Sequence, residues 1–172
     1  NLVNVPFQAV LDKDLKPKVN PLLLPRALWW FRWSAMITFI VGVALLLVKY
    51  GWAGLWLDAD GAVSHRFMWI MWGSILGTVM WFNVWFIIWP AQKQIIGWVK
   101  SGQNPPEMAK LARRAYLASR TNSYLSGPML FGMVAANNYA SINFVTLLVT
   151  IAIGCGTVWL GIRFSPKVGT TV

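Results

Sequence analysis

The sequence predicts an all-α integral membrane protein with four transmembrane helices and an amphipathic cytoplasmic helix, and three observations carry that prediction. First, 57% of the 172 residues are hydrophobic and only 12% charged, with a mean hydropathy of +0.54. That leaves too little polar surface to cover a globule in water. Second, apolar runs of about 20 residues recur, which at 1.5 Å rise per residue match a bilayer core. Third, the 12 tryptophans and the 15 Lys and Arg residues gather at the ends of those runs, where amphipathic rings and cytoplasmic charges belong.

The polar segment 1–26 carries Lys13, Lys16, Lys18, Asp12 and Asp14 together with Pro17, Pro21 and Pro25. Its prolines predict a loop with a short interfacial piece rather than a long helix. The chain opens at Asn1 without a Met or a signal-like run, which points to a processed protein or to a start lying upstream. The membrane domain follows over 27–164. Its first span, about 27–49, has Trp29, Trp30 and Trp33 at one end, with Tyr50, Trp52 and Trp56 just past the other. A connection with Asp58, Asp60 and several glycines leads to the second span, about 67–89. Pro90 is expected to kink this helix rather than end it, because a helical pattern continues to Lys100. Gly102, Pro105 and Pro106 then break the chain.

Segment 107–120 is the amphipathic helix, with Glu107 suited to its N-terminus. It lies at the interface or runs directly into the third span, about 122–136. That span is short and contains Ser123, Ser126, Gly127 and Pro128, so it must borrow length from the preceding turn; a re-entrant segment is the alternative. The fourth span, about 140–163, is strongly apolar, and a basic tail covers 165–172.

Four crossings put every Lys/Arg-rich segment on one side, which the positive-inside rule assigns to the cytoplasm. Arg26 and Arg32 precede the first span, Lys93 to Arg120 separate the second from the third, and Arg163 and Lys167 close the fourth. The expected location is the bacterial inner membrane, with the charged loops and the C-terminus cytoplasmic. The net charge of +10 reads as topology, not as a nucleic-acid surface, because the basic residues flank apolar segments.

Candidate chemistry is sparse. His65 is the single histidine, so the sequence offers no two-histidine haem site, and there is no Cys-x-x-Cys-His motif. No metal site is expected. His65 is a weak cofactor candidate, more simply an interfacial histidine bonded to a neighbour. Asn83, the deepest amide of the second span, is another; the plainer reading is a hydrogen bond to a neighbouring helix, the sharper one a quinone or substrate contact. From Trp33 to Val48, and within 67–89, 122–136 and 140–161, there is no Asp, Glu, Lys, Arg or His, which argues against a proton pump or ion-coupled transporter. Cys155 lies in an apolar run and is expected to pack. No catalytic set is visible. The small residues Gly73 and Gly77, and Ser34, Thr38 and Gly42, predict that the first and second spans pack closely through these faces. Trp81, Trp85 and Trp89 form an i, i+4, i+8 stripe, read as a ridge for helix packing or for docking a partner.

Three strings go further. "ALWWFRWSAMITFIVGVALL", "MWFNVWFIIWPAQKQIIGW" and "ARRAYLASRTNSYLSGPMLFGM" resemble the membrane domain of the bacterial urate hydroxylase type, the urate oxidase N-terminal domain family. "NLVNVPF" resembles the point just after that domain's first helices. The resemblance spans nearly the whole chain. It implies a helical membrane fold, a fifth helix upstream of Asn1 that would bear the family's histidines, and urate oxidation with electrons passed through a cytochrome c domain to a respiratory chain. It carries over no catalytic residue, and this sequence lacks the haem c motif.

The expected function is a non-catalytic accessory subunit of a larger bacterial membrane complex, redox-linked, whose partners are other membrane subunits and lipids. The first alternative is the membrane module of a urate hydroxylase-type enzyme passing electrons to a cytochrome c. The second is a transporter or channel. No cofactor is expected within this chain; haem or quinone would need an upstream segment or a partner.

Overall fold

The computed structural model describes residues 2–12, 14–138 and 141–168. Its elements are helices, with α1 over Asn4–Val10 and α2 over Lys16–Leu46, the latter prolonged by a π-helical turn at Leu47–Trp52. Next come α3 over His65–Phe82, a π-helical turn at Asn83–Ile88 and α4 over Trp89–Lys100, which form one continuous rod. Then α5 spans Glu107–Asn138 and α6 spans Phe144–Phe164. Among the described residues there is no strand, only an isolated antiparallel bridge between Leu57 and Val63. It closes the turn in which Gly61 takes a left-handed φ of 81°. The described residues thus bear out the all-helical fold class.

The N-terminal expectation needs correcting. α2 begins at Lys16, not near Ala27, and runs through Pro21 and Pro25. Pro17 falls in the first turn, where an N–H has no helical partner anyway. Pro21 and Pro25 each leave a carbonyl four residues back unpaired, and their spacing puts both losses on one side of the helix. A reciprocal amide pair steadies this end, with Gln8 Nε2 donating to Asn20 Oδ1 at 2.7 Å and Asn20 Nδ2 donating to Gln8 Oε1 at 3.2 Å.

Ser64 caps α3, its hydroxyl accepting the Phe67 N–H at 3.0 Å. The helix then continues through Pro90. The π-helical turn immediately upstream widens the backbone where the proline ring would strike the carbonyl four residues back.

α5 is one helix of 32 residues, about 48 Å at 1.5 Å per residue, so the amphipathic segment does run straight into the expected third span. It is the centre of the fold and packs most extensively on α3, then on α6. Glycines set both crossings. At the first, a Cβ on Gly132 would lie 2.9 Å from Trp72 Cδ1 and 3.3 Å from the Gly73 nitrogen. At the second, a Cβ on Gly127 would collide with the Gly154 carbonyl oxygen, and one on Gly154 would lie 2.5 Å from the Pro128 nitrogen. Pro128 cannot donate to the Tyr124 carbonyl; the Cys155 thiol does so instead, at 3.7 Å. Cys155 therefore does more than fill space. Trp69, with 0% exposure, anchors the core with Ala135 and Ala136.

Three helical stretches, Lys16–Trp52, His65–Lys100 and Phe144–Lys167, are long and apolar enough to cross a membrane. Four were expected. α5 falls short in composition because Ser119, Arg120, Thr121, Asn122, Ser123 and Ser126 sit in its middle. A helix enclosed by neighbours can be that polar, since its surface need not match lipid. α6 starts at Phe144 with a reciprocal Asn143–Thr146 capping box. The Ala140 start expected for the fourth span, like Asn1, Lys13 and 169–172, lies outside the described residues.

Candidate functional site

Two structures are built where α2 meets the α3–α5 pair. The first is a clamp. Arg32 of α2 reaches toward the α4 end of the long rod, its guanidinium carbon 4.0 Å from the Trp89 ring centre, 5.1 Å from Trp85 and 5.5 Å from its own neighbour Trp33. Ring quadrupoles attract the cation, and more strongly where water is excluded. Its Nε is buried without a hydrogen-bond partner. Trp33 meets Trp85 edge-on at 5.8 Å, and Phe39 stacks on Trp81 at 4.3 Å with an interplanar angle of 11°. The stripe Trp81, Trp85, Trp89 is thus turned inward against α2.

The second is a cavity of about 730 Å³ that opens between α2 and the α3–α5 pair. Ser34, Thr38 and Gly42 line it from α2; Ser74, Gly77, Thr78 and Trp81 from α3; Asn122 and Ser126 from α5. The small residues expected to join the first two spans do not meet. Gly42 has open space where its Cβ would be, whereas Gly73 and Gly77 face Met129 and Met133 of α5. Aromatic rings, not small residues, hold α2, because large rings reach across a gap that backbones do not close.

Asn83 and Asn122 form the polar centre beside this cavity. Asn83 Nδ2 donates to Asn122 Oδ1 at 2.8 Å, and Asn122 Nδ2 donates to the Met80 carbonyl at 3.0 Å. Asn122 is 7% exposed, so these bonds satisfy an amide that would otherwise be costly to bury. The plainer reading of Asn83 is the one the geometry shows. Asn122 had no signal of its own beyond being an amide at the start of the expected third span. Arg32 had a clearer one, an arginine set among Trp29, Trp30 and Trp33.

His65 lies at the opposite end of α3, exposed, with Nδ1 accepting the Ile142 N–H at 3.2 Å. Beside it, Arg66 donates to the Ala136 carbonyl at 3.3 Å and to Asn137 Oδ1 at 2.5 Å. The pair fastens the end of α5 and the connection to α6. A haem held by two imidazoles does not fit these residues, since the one histidine engages a backbone N–H. No group of three His, Cys, Asp or Glu side chains that could hold a metal occurs among the described residues.

A family model described as "Urate oxidase N-terminal" matches residues 52–164. No curated protein matches the chain, and no solved structure does.

Proposed function

The chain belongs to the urate oxidase N-terminal family, and from that premise we propose that it is a non-catalytic, membrane-embedded accessory subunit of a larger, redox-linked bacterial complex. One observation carries the reading. No residue of α2 is buried, although the helix is apolar over most of its second half. Trp30, Ile37, Val41 and Leu45 lie exposed on it, and the described bundle holds it mainly by the aromatic clamp. A helix so little covered by its own chain gains its packing from outside, from lipid and from a neighbouring subunit's helix.

The proposal includes a fourth crossing by α5, with the Lys/Arg-rich ends in the cytoplasm. Support comes from the antiparallel course of α5 along α3. Arg66, at the start of α3, bonds to Ala136 and Asn137 near the end of α5, while Met80 and Asn83 bond to Asn122. A helix that follows an apolar rod over such a length reaches a similar depth. The family match favours a second reading, the membrane module of a urate hydroxylase-type enzyme feeding a cytochrome c.

Purification from native membranes in mild detergent, with a visible spectrum of the same band, separates the two. A discrete large complex whose pigment belongs to other subunits is expected. A lone small band with its own haem spectrum would replace the accessory reading with the second.

A further inference from the structure

We propose that the hairpin 53–64, between α2 and α3, inserts its apolar stem into the headgroup–acyl boundary of the phospholipid leaflet opposite the Lys/Arg-rich ends; this goes beyond the accessory role and rests only on the membrane-embedded reading above. The hairpin is an ordered frame, not a slack connection. Tyr50, in the π-helical turn that prolongs α2, packs against Phe67 of α3 with ring centres 5.2 Å apart. From there the two arms pair rung by rung. The Ser64 N–H donates to the Trp56 carbonyl at 2.9 Å, and the Asp58 N–H donates to the Ala62 carbonyl at 2.8 Å. Leu57 and Val63 bridge between these two rungs. At the tip, Asp60 Oδ1 accepts the Ala62 N–H at 3.2 Å.

The side chains carried on this frame are apolar and uncovered. Leu57 and Val63 stand directly opposite each other, so they fall on one side of the hairpin. Both are exposed, as are Leu55 and Trp56. Trp52, at the end of the π-helical turn, is 93% exposed, so the chain itself gives its ring almost no contact. No Asp, Glu, Lys, Arg or His lies between Lys49 and Asp58. Large apolar side chains held out on an ordered frame mark a contact with something apolar outside the chain.

The order of the rungs identifies that partner as lipid. Trp52, Trp56, Leu57 and Val63 belong to the part of the hairpin next to the helix ends, and the exposed Asp58 and Asp60 belong to the tip. Apolar beside the span and acidic away from it is the profile of a leaflet from its acyl boundary to water, and tryptophan favours that boundary. A docking face for another subunit has no reason to be graded with distance from the spans. The patch is also continuous with the exposed apolar surface of α2 and its π-helical turn, through Leu45, Leu47 and Val48.

The test is electron paramagnetic resonance on the full-length protein in phosphatidylcholine nanodiscs. Nitroxide labels are attached after Trp52→Cys, Leu57→Cys or Asp60→Cys, each in a Cys155→Ala background, with Val41→Cys on α2 as the reference for lipid contact. Each label's collisions with oxygen, which concentrates in the acyl region, are compared with its collisions with a water-soluble nickel chelate. Oxygen is expected to dominate at 41, 52 and 57, and the ratio to reverse at 60. Circular dichroism and elution volume should match the wild type; the Trp52 ring touches so little of the chain that its replacement leaves the hairpin intact. Dominance of the chelate at 52 or 57, with oxygen dominant at 41, would overturn the hairpin proposal and leave the membrane reading standing. Protection of 52 and 57 from both reagents would also overturn it, because protein and not lipid would then cover the stem. Dominance of the chelate at 41 would remove the membrane reading itself, and the proposal with it.

Discussion

Gly154→Leu is expected to destabilise the bundle severely, lowering its melting temperature in detergent far more than Gly156→Leu does. At Gly154 an added Cβ would meet the Pro128 nitrogen at 2.5 Å and the Gly127 carbonyl carbon at 2.7 Å. These are backbone atoms of α5 and cannot step aside like a flexible side chain. Overpacking costs about 1–3 kcal/mol where side chains can adjust, and a backbone crossing belongs at or beyond the upper end. Separation of α5 from α6 would also free the Tyr124 carbonyl, which accepts from the Cys155 thiol. Gly156, on the same helix, has nothing within 4 Å of its would-be Cβ, so leucine there tests size and propensity without the crossing. Equal melting of the two variants would show that α5 and α6 do not cross at these glycines.

Arg32→Gln should loosen α2 from α4. The change keeps a long polar side chain but removes the cation that lies over Trp89 and near Trp85 and Trp33. Desolvated cation–π pairs are worth about 2 kcal/mol or more, and α2 has few other attachments to the bundle. Spin labels placed on α2 and α4 should report a broadened, longer distance distribution in the variant. Arg32→Lys should recover part of the effect, because it keeps the charge but not the planar stack. An unchanged distribution in Arg32→Gln would mean that ring contacts such as Phe39 on Trp81 hold the helix without help.

The sequence revealed this fold unevenly, for physical reasons. Apolar length and tryptophan placement marked α2, the α3–α4 rod and α6, the three stretches long and apolar enough to cross a membrane. α5 was hard to read because burial within the bundle relaxes that demand; its polar middle is compatible with the centre of the fold. The prolines at 21 and 25 read as loop formers, yet a helix tolerates them where the lost bonds fall on one side near its start. The small-residue repeats are legible in the sequence, but a repeat does not name its partner. Gly73 chose α5, while Ser34, Thr38 and Gly42 were left facing a cavity. The tryptophan stripe was visible as a stripe, and its packing role required knowing that Arg32 and Phe39 stand opposite.

The central claim is that α5 crosses the membrane as the polar centre of a four-span bundle. Single cysteines introduced by Asp60→Cys, Ser101→Cys and Ser141→Cys, in a Cys155→Ala background, test it with a membrane-impermeant maleimide applied to intact spheroplasts. The account predicts rapid labelling at 60 and 141, with labelling at 101 only after the membrane is opened. Protection of 141 together with 101, while 60 is labelled, would contradict it, since α5 would then begin and end on the same side.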